Sequence, residues 1–199
     1  MKTIRILLRN TFVVLTVLTI LVAADRVCAE TSQSSCPVSE SGFVIGYGTG
    51  NIEEGEYRPL LMIWHIGFPL KQCSPRGSDG RQNVLSWYLE PQINPAFTPS
   101  TNVEFGIGIG LKYMHHIVER FAVYAMASVG PHWITLQTRN QTNGFIFSDM
   151  AGVGGSIFIT DRSALNLELR VRHLSNAGLE KPNGGIDSWF GAVGYSVFF

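Results

Sequence analysis

Charge is scarce in this chain. Only 15% of its 199 residues are Asp, Glu, Lys or Arg, and the 15 of each sign cancel to a formal net charge of zero. A nucleic-acid partner, which asks for a basic face, is therefore not expected. Long apolar runs are equally short in supply: after residue 24 no segment is long and apolar enough to cross a membrane as a helix. A helical period is missing too, because no stretch repeats its apolar residues at three and four over a useful length. Cysteine is down to three, Cys28, Cys36 and Cys73.

What is present points elsewhere. The chain holds 21 Gly, 12 Phe, 6 Tyr and 4 Trp in a 45% hydrophobic composition, which favours an all-β protein with one side facing something other than water. Lys2, Arg5 and Arg9 precede an apolar run from Thr11 to Ala24, and Val27-Cys28-Ala29 then offers small residues for a signal peptidase. That run is roughly 14 residues where a spanning helix needs about 20, so residues 1–29 read as a cleaved signal peptide. Residues 30–41 are polar and Ser-rich and read as a flexible N-terminal segment, with a single domain over 42–199. Cys28 leaves with the leader, and Cys36 and Cys73 remain as a disulfide candidate in an oxidising compartment.

Strand-like segments then follow one another between turn signals. The clearest are Val84 to Asn94 and Val103 to Tyr113, where Val103, Phe105, Ile107, Ile109, Leu111 and Tyr113 oppose Glu104, Gly106, Gly108, Gly110 and Lys112. Phe43 to Thr49, Leu60 to Phe68, Phe121 to Gly130, Phe145 to Ile159, Leu165 to Ser175 and Asp187 to Phe199 bring the count to about eight, an even number that fits a transmembrane barrel. The run Gly152-Val153-Gly154-Gly155 reads as the place for a bulge, so no faces are assigned around it. Lipid forbids open sheet edges, and the expectation is an eight-stranded antiparallel transmembrane β-barrel of the outer membrane. With the C-terminus periplasmic, 114–120 and 160–163 become periplasmic turns and 131–144 and 177–185 extracellular loops. Glu90, Glu104, Lys112, Glu168, Arg170 and Arg172 then point inward and must pair with one another, giving a plugged barrel and not a pore.

The chemistry is expected at one end of the last two strands. Leu165, Leu167, Leu169, Val171, His173 and Ser175 share one parity, and Asp187, Trp189, Val193, Tyr195, Val197 and Phe199 share the same apolar face of the next strand. A serine, a histidine and a carboxylate emerging together from an otherwise hydrocarbon-like wall suggest an activated nucleophile for a greasy substrate. The competing reading is of polar strand ends resting among lipid headgroups. For His173 taken by itself that second reading is the better one.

The run His173-x-Ser175-Asn176-Ala177-Gly178-Leu179, then Pro182-Asn183-x-Gly185-Ile186 and an acidic residue, resembles the signature of the PagL-type lipid A 3-O-deacylases of Gram-negative outer membranes. The resemblance implies an eight-stranded barrel with its site on the lipid-facing exterior, cleaving the ester-linked acyl chain at position 3 of lipid A. His173 would be the general base, Ser175 the nucleophile and Asp187 the acidic third member. The best-known family member has Glu in that last place, and Asp, one methylene shorter, must approach His173 more closely or act through water. Oxyanion donors are sought among the backbone N–H groups of Ala177 and Gly178 and the side-chain amides of Asn176 and Asn183.

Other features carry less. Gly106-x-Gly108-x-Gly110 has a period of two with no helix after it, so it reads as small residues facing a lumen. His115-His116 with Glu119 lacks a third ligand in view, and no metal or cofactor is expected. Asn140-Gln141-Thr142 matches a glycosylation sequon, which means little in a bacterium. The expected partner is lipid A or lipopolysaccharide in the outer leaflet, with a homodimer left open. The alternative function is a non-enzymatic small barrel, structural, adhesive or lipid-A-binding.

Overall fold

The computed structural model describes residues 38–73 and 83–199, with the side chains of 71–73 left aside. The expected signal peptide, most of the flexible segment, Cys36 and the side chain of Cys73 lie outside the described residues. No helix among the described residues is long and apolar enough to cross a membrane, and every named element is a strand. In chain order these are β1 (Glu40–Ile52), β2 (Gly55–Tyr57), β3 (Leu60–Cys73), β4 (Asn83–Ala96), β5 (Asn102–Val118), β6 (Phe121–Ile134), β7 (Gly144–Thr160), β8 (Ser163–Ser175) and β9 (Ile186–Phe198). Neighbours pair antiparallel from β3 through β9, and β1 closes the sheet against both β3 and β9.

The wall is eight strands thick in circumference although nine elements are named. Gly50 pairs with Tyr57 and Tyr47 with Leu60, which is one uninterrupted register running down β1. Short β2 and long β3 are therefore a single barrel strand, broken where Pro59 has no N–H to give to the ladder. All eight expected strands are present, and the ring has no free edge.

Side chains divide by parity as lipid would require. Ile45, Leu165, Leu167, Leu169, Trp189 and Val193 are exposed on the outside, whereas Asn166, Glu168, Arg170, Arg172, Ser188 and Ser196 are buried within. Inside, Arg170 grips Glu90 through both terminal nitrogens at 2.8 and 3.0 Å and Glu168 through Nε at 2.6 Å. Arg172 pairs with Glu104, and Lys112 with Glu40 at 2.8 Å. Five of the six expected inward charges pair with one another, and the sixth, Lys112, pairs with Glu40. Glu40 and His65 join the network unannounced, since β1 starts two residues before the expected boundary at 42 and His65 bonds Glu90 at 3.0 Å.

Three apolar clusters complete the filling. Tyr57, Ile134, Leu136, Ile146, Leu174 and Ile186 seal the end that carries the loops 97–101, 135–143 and 176–185. Val44, Leu61, Ile63, Met150 and Phe190 pack beside the charges, and Tyr88, Met114, Tyr124 and Phe158 contribute to the cluster at the other end. Two local expectations fail. No bulge occurs at Gly152–Gly155, because Gly154 makes room for the Tyr124 ring and Gly152 for the stem of Arg170 while the ladder stays regular. The register shifts fall instead at Pro69/Lys71, His116/Val118 and Phe158/Thr160, all at the end away from the candidate site. Strand β6 also runs on to Ile134, and β5 to Val118, which shortens the connections to 135–143 and 119–120.

Candidate active site

The β8–β9 ladder sets His173 directly opposite Asp187. Both residues point out of the barrel, and the His173 Nδ1 and Asp187 Oδ1 atoms are 2.6 Å apart. A carboxylate can only accept, so Nδ1 carries a proton, and in the neutral ring the lone pair is then on Nε2, where a general base needs it. The imidazole side chain is 17% exposed and the carboxylate 53%, so the ring is held and the acid stays accessible. Asp187 thus meets the ring directly and needs no bridging water.

Ser175 lies two residues further along β8, on the same face. Leu174, between them, points inward and is fully buried in the apolar seal, which fixes the outward aim of both neighbours. Across the other edge of β8, Phe147 stands opposite Ser175 and Asp149 opposite His173. Phe147 meets Phe145 edge-on at a centroid distance of 5.1 Å, so the serine is flanked by an aromatic pair on the lipid side. His173 therefore sits in a row between two acids, bonded to Asp187 and in the electrostatic field of half-buried Asp149.

The loop after Ser175 is built around Asn176, which is 1% exposed. Its Nδ2 donates to Thr142 Oγ1 at 3.1 Å and to Glu180 O at 2.9 Å, and its Oδ1 accepts the Gly178 N–H at 2.9 Å. Its own N–H donates to Asn183 Oδ1 at 3.0 Å. Ala177, at φ 53°, and Gly178, at φ 83°, turn the chain back on itself here. Two of the four expected oxyanion donors are therefore engaged within the loop: the Asn176 amide and the Gly178 N–H. The fixed Oδ1 of Asn183 leaves its Nδ2 as a donor, and the Ala177 N–H is the other of the four.

The arrangement can take a proton from a hydroxyl on the membrane-facing side of the wall and stabilise the resulting imidazolium. Asp149 and Phe147 escaped the reading of the sequence because no faces were assigned to their strand. The signal was present in Phe145, Phe147, Asp149, Ala151 and Val153, an apolar parity with one carboxylate in it.

Comparison with known proteins bears on this geometry. The family model described as lipid A 3-O-deacylase (PagL) matches residues 82–196, more than half of the chain and all of the candidate site. Among solved structures, that of the outer membrane enzyme PagL superposes with a TM-score of 0.60 at 15% identity, covering 78% of this chain and 99% of that one. Neisserial surface protein A has a TM-score of 0.61 at 13% identity, covering 84% of this chain and 100% of that one. At such identities the likeness to these two structures establishes the barrel fold alone. No curated protein matches the chain in sequence. The family match and the closed barrel lend no support to a homodimer.

Proposed function

The chain belongs to the lipid A 3-O-deacylase (PagL) family of outer-membrane enzymes, and from that premise we propose that it hydrolyses the ester at position 3 of lipid A through Ser175, His173 and Asp187. His173 Nε2 takes the proton from Ser175 as the serine oxygen attacks the ester carbonyl; the tetrahedral intermediate then collapses, the bond to the position-3 oxygen of lipid A breaks, and the imidazolium returns the proton to that leaving hydroxyl, leaving an acyl-enzyme and a neutral His173. Asp187 holds the imidazole in its tautomer and stabilises the imidazolium. The tetrahedral oxyanion is met by Asn183 Nδ2 and the Ala177 N–H. Water admitted at the headgroup level, with His173 again as base, then releases the fatty acid and restores the serine.

One observation carries this reading: a carboxylate bonded at 2.6 Å to an imidazole on the outer, lipid-facing wall. A charged side chain on a lipid-facing barrel wall costs from roughly 1 kcal/mol near the interface to about 3 kcal/mol at the bilayer centre, a cost that a merely architectural wall has no reason to bear. The barrel itself does not discriminate, since Neisserial surface protein A has a similar one.

The test is the lipid A mass profile of cells expressing the chain. The wild-type sequence removes one 3-hydroxyacyl chain, and Ser175→Ala slows that removal by about 10³-fold or more. Trimming that persists in Ser175→Ala shows the nucleophile to be another residue. Absence of trimming by the wild-type chain leaves the non-enzymatic barrel as the function.

A further inference from the structure

The run Asn140-Gln141-Thr142, a chance sequon to the eye, occupies an unusual place in the fold. Gln141 lies in the loop joining β6 to β7 and is nevertheless 1% exposed. Its backbone is clamped in a tight turn, with its N–H donating to Thr138 Oγ1 at 2.8 Å and the Thr138 N–H donating to Gln141 O at 3.0 Å. The side chain is turned into the neighbouring site loop. There Gln141 Oε1 accepts the N–H of Gly185 at 3.1 Å, and Gln141 forms an isolated antiparallel bridge with Asn183.

Gly185 is the residue that touches the base. Its φ is +75°, and a Cβ placed on it would collide with His173 Cε1 and stand 3.1 Å from His173 Nε2. The Gly185 peptide is thus the surface against which the reactive edge of the imidazole rests. Gln141 fixes that peptide from behind, and Thr142 adds a second attachment by accepting from Asn176 and donating its N–H to Pro182 O at 3.2 Å. The ring is held at Nδ1 by Asp187 and faced at its Cε1–Nε2 edge by a backbone that another loop supports.

We propose that Gln141 is a positioning residue for the deacylation reaction, locking the Gly185 peptide so that His173 Nε2 stays aimed along the outer wall. This rests on the reading of His173 as the general base. A backbone N–H left without its acceptor in a buried loop shifts until it finds one, and the ring edge resting on that peptide shifts with it. Displacement by about 1 Å at a reacting group costs on the order of 10²-fold in rate.

The experiment uses the full mature chain in detergent micelles with lipopolysaccharide, reading released 3-hydroxy fatty acid and the ¹³Cε1 resonance of His173. Gln141→Leu removes the acceptor at similar volume, and Gln141→Asn keeps an amide too short to reach Gly185. Gln141→Glu keeps an acceptor oxygen in place. The Leu and Asn variants lower kcat by about 10- to 100-fold with KM unchanged and displace the resonance, while the unheated barrel runs at its usual gel position. The Glu variant loses the donation from Gln141 Nε2 to Thr142 O at 3.3 Å and buries an acid, yet it stays faster than the Leu and Asn variants, because the bond to the Gly185 N–H survives. Wild-type rates in the Leu and Asn variants, or a Glu variant as slow as Leu, would overturn the proposal. Should the Leu variant fail to fold, the Asn variant decides. A wild-type chain that releases no fatty acid defeats the enzymatic reading, and the histidine resonance still decides whether Gln141 positions the ring.

Discussion

Arg172 and His173 are consecutive residues of β8 that bond on opposite sides of the barrel wall, Arg172 to Glu104 within and His173 to Asp187 without. The single peptide between them is held from both directions. Glu104 is itself tied to Tyr57 at 3.0 Å and to Asn94 at 2.6 Å, so the inner grip is a network across several strands. An imidazole on a fluid surface is thus mounted on a stretch of wall that an interior network holds from behind.

Arg170, two residues down β8, tests what that interior contributes. Arg170→Met leaves Glu90 and Glu168 buried without their cation, and the folded barrel loses about 3–5 kcal/mol. Urea unfolding in vesicles, followed by the heat-dependent gel shift, reads the loss. Activity per folded molecule stays near wild type, because Arg170 points inward and touches neither His173 nor its loop. A stability change under about 1 kcal/mol would mean that the interior pairs are dispensable.

Asp187 tests the outer contact. Asp187→Asn preserves shape but removes the negative charge and offers an amide N–H that can donate to Nδ1, so the tautomer is no longer fixed and kcat falls by about 10²- to 10⁴-fold in the fatty-acid release assay. Asp187→Glu introduces one methylene more into a pair already in direct register at 2.6 Å. That variant turns over no faster than wild type. A clear gain would show that the shorter acid is a handicap which the geometry conceals.

Asp149 flanks the same ring from β7. Its half-buried carboxylate adds negative potential beside the imidazolium that forms during attack, a contribution smaller than that of a bonded partner. Asp149→Asn lowers kcat by about tenfold, less than Asp187→Asn. If the two substitutions rank the other way, Asp149 is the working third member and Asp187 its support.

Much of this was legible in the order of residues because a barrel in lipid obeys a period of two. Leu165 to Ser175 and Asp187 to Phe199 sort into inner and outer sets from the sequence, and the outward triplet His173, Ser175 and Asp187 follows from parity. Asp149 was hidden by glycines 152, 154 and 155, which imitate a bulge; only the packed Tyr124 ring and Arg170 stem explain why small residues stand there in a regular ladder. The engagement of Asn176 and Gly178 within their own loop was illegible for another reason. It depends on Thr142, Glu180 and Asn183 meeting in space, and hydrogen bonds between loops leave no periodic trace.

The packed lumen has a further consequence. With ion pairs at its waist and apolar seals toward both mouths, the described residues of the cylinder leave no axial route to reactant or product. In the proposed reaction, traffic to Ser175 comes sideways, by diffusion within one leaflet, and turnover becomes a question of how freely neighbouring lipids exchange places. Divalent cations that cross-link adjacent headgroups would then throttle the reaction without ever touching the protein.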